Sequence, residues 1–289
     1  MPKVADIKQT ATKTRAMMRL SCIENFYGGY FSLIQKVDMA LLHLLSKVKS
    51  SPISKLKIMT NKALTNKQPK DKEIVRDYFN SIGFERWRRI YGEGDVSKVQ
   101  RDIRTGHQQT VDYVLNWFKN DKNAASQIIC DAGCGTGSLS IPLAAMGAKV
   151  YASDISEKMV GEGKSRATNP EKPIFEVKDL AALSGEYDTV ICLDVLIHYP
   201  DRDSEAMIEH LASLAKSRLI MSFAPKNPYY VLLKKIGELA PGSSKATRAY
   251  LHKESDIYRV LKKIGFTVKR KEFTATSFYF SRLIEAVRN

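Results

Sequence analysis

The run Asp131-Ala132-Gly133-Cys134-Gly135-Thr136-Gly137 follows an apolar stretch, Gln127 to Asp131, and leads into a helical pattern, Ser138 to Met146. Three glycines at alternate positions remove side chains where backbone must approach a ligand closely. A glycine loop of this kind also suits a dinucleotide, so the neighbouring acids must discriminate. Asp154 ends the next apolar run, 23 residues after Asp131, where a carboxylate can bond ribose hydroxyls in either ligand. Asp131 stands immediately before the loop, where it repels a pyrophosphate but attracts a ligand carrying an ammonium and a sulfonium.

S-adenosylmethionine (SAM) carries those two cations and no phosphate. Lys178-Asp179-Leu180 follows a third strand, a position from which Asp179 can bond an adenine amino group, and Asp188 to Asp194 reads as a fourth strand. The loop, the acids and the strand order together resemble the class I methyltransferase family. The resemblance implies SAM contacts from Asp131, Ala132, Gly133, Gly135, Asp154, Ile155, Asp179, Leu180, Leu193 and Asp194, with Met159 packed on the adenine side.

These residues must be positioned by short elements in alternation. Strands are expected at 127–131, 149–153, 174–177, 187–193, 218–223, 266–273 and 276–287, and helices at 138–146, 157–167, 203–215 and 254–263. The alternation predicts a doubly wound, seven-stranded, mostly parallel α/β sheet, a Rossmann-like core spanning 127–289, whose ligand lies beyond the carboxyl ends of the strands. The last two strands join directly and should form an antiparallel hairpin. Upstream, a helix through Ile74, Val75, Tyr78 and Phe79 is capped by Asp71 and broken by Gly83. Another covers Gly106 to Lys119. The segment 59–126 is expected to be a linker followed by helices that cap the site. An insertion at 225–253, with an apolar helix from Tyr229 to Leu239, is expected to form a lid after the fifth strand.

Composition narrows the class further. The chain has 289 residues, 44% of them hydrophobic, which is ample for a packed core. Its longest apolar candidate, Phe26 to Val48, is interrupted by Lys36, Asp38 and Lys47, so it does not span a membrane. Cys22, Cys130, Cys134 and Cys192 show no CxxC spacing and no histidine cluster, so neither a zinc site nor a disulfide framework is expected. No protein-bound metal is predicted. The net charge of +15 allows nucleic acid, an anionic membrane surface or an acidic substrate. Residues 1–58 hold ten Lys or Arg against three Asp or Glu, so +7 lies there, together with one amphipathic helical pattern from Ile34 to Val48. This stretch is expected to be a targeting segment, a surface anchor or mis-assigned sequence upstream of Met59.

The methyl acceptor must be read outside the cofactor motif. Base-modifying enzymes of this class carry an Asn/Asp-Pro-Pro-aromatic segment after the fourth strand, where this chain has Asp194-Val195-Leu196-Ile197-His198-Tyr199-Pro200. Asn227-Pro228-Tyr229-Tyr230 follows the fifth strand instead. No cysteine follows a proline, as a cytosine-C5 nucleophile would. Nucleic acid is therefore not the expected partner.

A narrower resemblance rests on the run from Val75 to Gly92, Gly106-His107-Gln108-Gln109-Thr110-Val111, Asp194 to Pro200, Ser244 to His252 and Phe278-Tyr279-Phe280-Ser281-Arg282-Leu283. From about residue 60 to the C-terminus the chain is similar, in order and without large gaps, to the magnesium-protoporphyrin IX methyltransferase family of chlorophyll biosynthesis. The resemblance implies methyl transfer from SAM to a propionate of magnesium protoporphyrin IX, giving the monomethyl ester. The magnesium is then the substrate's own. A propionate is already ionised at neutral pH and needs no strong general base. It must be desolvated and held about 3 Å from the sulfonium methyl. Tyr91 and His198 are the residues expected to do so. Arg101 and His107 are placed nearest the cofactor among a basic set that includes Arg86, Arg88, Arg89 and Arg104. The family further implies contact with the large porphyrin-binding subunit of magnesium chelatase, and a cyanobacterial cytoplasmic or plastid location, peripheral to thylakoid or envelope membrane. Two other readings stay open: an O-methyltransferase for another small acid or phenol, and an RNA-binding methyltransferase-like protein.

Overall fold

The central parallel strands of a doubly wound sheet are buried on both faces, and the alternation of their side chains shows it. In the computed structural model, which describes residues 71–168, 171–228, 230–231 and 250–289, β1 (Ile128–Ala132), β2 (Lys149–Asp154), β3 (Ile174–Val177), β4 (Tyr187–Cys192), β5 (Ala215–Phe223), β6 (Phe266–Ala275) and β7 (Phe280–Arg288) form one sheet in the order β3-β2-β1-β4-β5-β7-β6. β7 runs antiparallel to β5 and β6, and the other neighbours are parallel. Along β4 and β5 the side chains divide by turn: Val190, Cys192, Leu219 and Met221 enter one core cluster, Ile191 and Ile220 the other. α6 (Asp201–Leu214) and α7 (Glu254–Lys263) cover the first face. α3 (Lys98–Asp121) and α4 (Ser140–Ala145) cover the second. These residues belong to one unit, Lys67–Asn289.

The helix that matters most to the site is α3. It is longer than the apolar spacing predicts, because Ser97 and Gln100 form a reciprocal capping box that starts it eight residues before Gly106. Val111, Val114 and Phe118 bury its inner face completely. Its far end is held by charge: Asp121 accepts from Arg270 at 2.7 and 3.0 Å and faces Arg218 at 3.3 Å, while both guanidiniums pair with Glu285.

Ahead of it, α1 (Asp71–Phe79) and α2 (Ile82–Ile90) are separated at Asn80 and Ser81, not at Gly83. Gly83 lies inside α2 because the Tyr78 ring packs where a Cβ would stand, 2.4 Å away. α5 (Glu157–Arg166) is capped by Ser156, whose hydroxyl accepts from Met159 N and donates to Asn80 Oδ1 at 2.8 Å, joining α1 to the second βα unit. The last strand starts at Phe280 rather than Thr276, because Asp102 of α3 takes the Thr276 hydroxyl at 2.6 Å and the Phe278 amide at 2.7 Å, making a turn of 276–279. Residues 1–58, the linker and most of the 225–253 insertion, including all of the expected Tyr229 to Leu239 helix except the helical Tyr230 and Val231, lie outside the described residues. The ends of that insertion are described and pair with each other: Pro225 bridges His252, and Lys226 N donates to His252 O at 2.7 Å.

Candidate active site

At the carboxyl ends of β1, β2 and β4 the chain encloses a cavity of about 680 Å³, within the usual range for small-ligand sites. One side is built by the glycine loop. Gly133, Gly135 and Gly137 all have positive φ (84°, 53° and 81°), and the Gly133 and Cys134 amides donate to Ser153 O at 2.8 and 2.9 Å. A Cβ on Gly133 would stand 2.3 Å from Val195 Cγ2, so the loop and the segment after β4 close on each other only because that position is glycine. Asp154 accepts from Gly135 N at 3.0 Å and Ser156 N at 2.8 Å, which holds the loop against β2 and aligns its carboxylate. Asp131 is 2% exposed, accepts from the Ser140 hydroxyl, and has no ion pair among the described residues. Burial pushes its pKa up to about 6, and Asp154 adds to the rise.

The other side is aromatic. His198, Phe79, Trp87, Tyr91 and His107 follow one another with ring centroids 5.4, 6.2, 5.4 and 4.4 Å apart. All five line the cavity. The Tyr91 hydroxyl has no hydrogen-bond partner among the described residues, and burial, with Asp194 and Asp154 nearby, pushes the phenol well above its ordinary value. It is therefore a donor that keeps its proton. Burial lowers His198 to about 4 against the opposing pull of Asp194, so at neutral pH its ring is uncharged, and its Nδ1 is buried without a partner.

Between the two sides stands Asp194, one of two non-glycine residues with positive φ (57°) among the described residues. His107 Nδ1 lies 2.9 Å from its Oδ2, Tyr279 donates to it at 2.8 Å and Ser222 at 2.9 Å. Burial alone would raise its pKa, but the His107 hydrogen bond and charge, with Tyr279 and Ser222, hold it below the usual carboxylate value.

The cavity thus brings together Tyr91, His107, Asp131, Gly133, Gly135, Asp154, Ile155, Met159, Leu180, Leu193, Asp194 and His198. Three expected residues do not line it. Ala132 is fully buried at the end of β1. Asp179 caps the 3₁₀ turn Leu180–Ala182, accepting from Ala181 N at 2.9 Å. Arg101 is exposed on the outer side of α3, with no partner among the described residues. Of the other basic residues, Arg104 is occupied in binding three carbonyls, Ile90 O, Arg89 O and Gly94 O, at 2.8, 2.7 and 2.9 Å, which closes the end of α2.

Two residues escape the sequence reading. Arg166 donates to Tyr91 O at 2.7 Å, Thr136 Oγ1 at 3.2 Å and Arg88 O at 3.3 Å, so one guanidinium joins the glycine loop to the segment carrying Tyr91. At the end of a helical pattern it reads only as a helix-terminal cation. Tyr279 belongs to the Phe278 to Leu283 run that carries the family resemblance, but nothing in that run gives it a role. Among the described residues no cluster of three or more His, Cys, Asp or Glu is placed to hold a metal, and no helix is long and apolar enough to cross a membrane.

The family model for the magnesium-protoporphyrin IX methyltransferase C-terminus matches residues 192–288, and a general methyltransferase-domain model matches 129–218. A magnesium-protoporphyrin O-methyltransferase from Synechocystis sp. is 60% identical over 235 residues, covering 80% of this chain and all of the relative. The chloroplastic magnesium protoporphyrin IX methyltransferase of Arabidopsis thaliana is 60% identical over 222 residues, 75% of this chain and 71% of its own. A crystal structure of the Synechocystis enzyme with bound SAH (S-adenosylhomocysteine) superposes with a TM-score of 0.71 at 60% identity, over 75% of this chain and 100% of the other. A second, with bound SAM, gives 0.70 at 56% identity over 78% and 100%. A glycine cradle, an ion-poor buried carboxylate and an aromatic wall, on a sheet of this order and in a chain this similar to its relatives, place the protein in the magnesium-protoporphyrin IX methyltransferase family.

Proposed function

We propose that this protein transfers the methyl group of SAM to a propionate carboxylate of magnesium protoporphyrin IX, forming the monomethyl ester. The observation that carries the reading is the 60% identity, over the whole length of the relative, to a Synechocystis magnesium-protoporphyrin O-methyltransferase. Asp131, a buried acid at the mouth of the glycine loop with no ion pair among the described residues, supports its cofactor half, because its charge becomes favourable once a cation sits beside it. SAM supplies that cation and the methyl group.

The residues then divide the work. Gly133 and Gly135 admit the nucleoside, Asp154 offers its remaining lone pairs to ribose hydroxyls, and Met159, Ile155 and Leu180 supply apolar walls. Ala132 and Leu193, at the ends of β1 and β4, are proposed to contact SAM through their backbone, and Asp179 through its carboxylate. The acceptor oxygen is already anionic. A C–O bond forms to the methyl carbon, the C–S bond breaks, and its electron pair stays on sulfur, so no proton need move. Tyr91 donates a hydrogen bond to the carboxylate and fixes its direction. His198, uncharged, sets the second contact. Phe79, Trp87, Tyr230 and Phe278 form the apolar surface against which a flat macrocycle loses its water. Arg101, outside the cavity lining, would reach SAM only if α1 to α3 close further over it.

The reading extends to the rest of the chain as proposals. Residues 59–126 cap the site, and 225–253 act as its lid. The protein works beside the large magnesium-chelatase subunit, peripheral to a photosynthetic membrane. Slower proteolysis of the insertion when SAM is added is the expected sign of a lid, and equal rates would count against it.

The decisive experiment is incubation with methyl-labelled SAM and, in parallel, magnesium protoporphyrin IX, metal-free protoporphyrin, a phenolic acid and RNA. Label is expected in the alkali-labile ester of the first. Transfer to the phenol or to RNA instead would replace this reading.

A further inference from the structure

We propose that Tyr279 is a positioning residue for methyl transfer: with Ser222 it fixes the Asp194 carboxylate so that Asp194 keeps the His107 ring protonated at Nδ1 and stacked on Tyr91. The proposal rests on the reading of Tyr91 as a substrate-directing donor, but its geometry stands independently.

Asp194 is held in the left-handed region at φ 57°, a conformation unfavourable for a residue with a Cβ unless its surroundings impose it. Its surroundings do so from both ends. Its amide donates to Ser222 Oγ at 2.8 Å, and the same hydroxyl donates back to Oδ1 at 2.9 Å. Tyr279 Oη, arriving from 85 residues away, reaches Oδ2 at 2.8 Å and Oδ1 at 3.0 Å. A carboxylate facing these donors is an acceptor only, so the 2.9 Å contact with His107 requires the proton on Nδ1. His107 Nε2 is buried without a partner, so nothing on that side competes to turn the ring over. The imidazole is thereby locked in plane and tautomer, with the Tyr91 ring 4.4 Å away and tilted 40°.

Behind Tyr279 the chain of hydroxyls continues. Its Oη lies 3.1 Å from Thr110 Oγ1, which lies 3.1 Å from Thr274 Oγ1, and both threonines are buried. Thr110 has one proton and two acceptors at 3.1 Å, Gly106 O and Tyr279 Oη; when that proton goes to Tyr279, the hydroxyls all point toward Asp194, each bond strengthening the next. The fold provides for it. A Cβ on Gly106 would stand 2.4 Å from Tyr279 Cδ1, so the ring crosses α3 only over a glycine. One turn earlier, Asp102 clamps the 276–278 turn through the Thr276 hydroxyl and the Phe278 amide. Two contacts at 102 and 106 therefore register the β6–β7 connection against the helix that carries His107.

The test uses the full chain with Tyr279→Phe, which keeps the ring and removes the hydroxyl. Turnover is expected to fall roughly tenfold while SAM affinity, by calorimetry, stays within about twofold, as for one lost hydrogen bond to a charged group. In histidine ¹⁵N-labelled protein the His107 Nδ1–H resonance, assigned with His107→Asn, should lose its directly bonded proton signal or shift toward the other tautomer. Thr110→Val, which leaves Tyr279 in place, should produce the same spectral change in smaller degree and about a threefold loss of turnover. A His107 spectrum unchanged in Tyr279→Phe would overturn the proposal whatever the turnover. A changed spectrum supports the positioning even where the acceptor is not a porphyrin propionate, so the two readings fail separately.

Discussion

Asp131 and Asp194 stand at the ends of adjacent strands and line one cavity, yet they are satisfied in opposite ways. Asp131 has one hydroxyl donor and no ion pair among the described residues, and its pKa rises to about 6. Asp194 has an imidazole, a phenol and a hydroxyl aimed at it, and falls below its ordinary value despite burial. The first carboxylate is completed by what binds. The second is completed by the protein and spends its charge holding other side chains still. The contrast separates a ligand-binding region from a positioning region.

The largest effect should come from forcing the two regions apart. Gly133→Ala adds a Cβ 2.3 Å from Val195 Cγ2 at a residue with φ 84°. SAM affinity measured by calorimetry should fall about 100-fold or more, the combined effect of strain and overpacking. A variant that bound SAM normally would show that the loop and the segment after β4 are not coupled.

Removing the directing groups should leave the binding region intact. Tyr91→Phe and His198→Ala are each expected to lower turnover by about 30- to 100-fold with SAM affinity little changed, as for a lost transition-state donor. Undiminished turnover in either would take that residue out of the mechanism.

Proton linkage distinguishes the two carboxylates by sign. Because Asp131 is raised in the folded protein, the ligand-free chain gains stability from this group as pH falls from about 6 toward 4, and is strained by its charge at pH 7. Binding of a cationic ligand reverses that preference, so SAM affinity should drop roughly tenfold between pH 7 and 5. Asp131→Asn should abolish this slope and weaken SAM binding while raising the melting temperature of the free protein at pH 7. Asp194, with its folded value depressed, contributes stability above the ordinary carboxylate range that is lost as pH falls through its folded value. Asp194→Asn should therefore lower the melting temperature at pH 7. Equal signs for the two variants would erase the distinction between the regions.

Arg166 bridges the regions, and Arg166→Ala should reduce turnover about fivefold by freeing the Tyr91 backbone, the loss of hydrogen bonds from a charged donor at a partly exposed site. The smallest effect is expected at Arg101, whose exposed side chain has no partner among the described residues: Arg101→Ala should alter SAM affinity by no more than about twofold. A larger loss would mean that α3 moves inward when SAM binds.

The binding region is legible in the sequence because it is local. Three glycines, the acid before them and the acid ending the next strand lie within 24 residues, and the strand-loop-helix geometry that relates them follows from backbone sterics alone. The doubly wound, mostly parallel sheet and its antiparallel hairpin are also readable, since both follow from the alternation of short apolar runs with helical ones, whereas the order β3-β2-β1-β4-β5-β7-β6 is not. Helix ends are less so. The capping box at Ser97 lengthens α3, and the break before α2 lies at Asn80 and Ser81, while Gly83 is kept free of a side chain inside α2 by the Tyr78 ring packed on it.

The positioning region is dispersed. Tyr91, His107, Asp194, Ser222 and Tyr279 come from separate elements spread over nearly 190 residues, and no spacing relates them. Tyr91 and His198 are singled out through the family resemblance; Tyr279 lies in a run that carries the same resemblance but gains no role from it, and Arg166 is not marked at all, because an arginine ending a helix has nothing in its own neighbourhood to mark it. The amino-acid sequence by itself determined the sheet, the glycine cradle and the cationic nucleoside it suits, through contacts a few residues apart. Only the tertiary structure decided which acid is left for a ligand and which is consumed in holding the site, because that depends on donors the fold brings from 85 residues away.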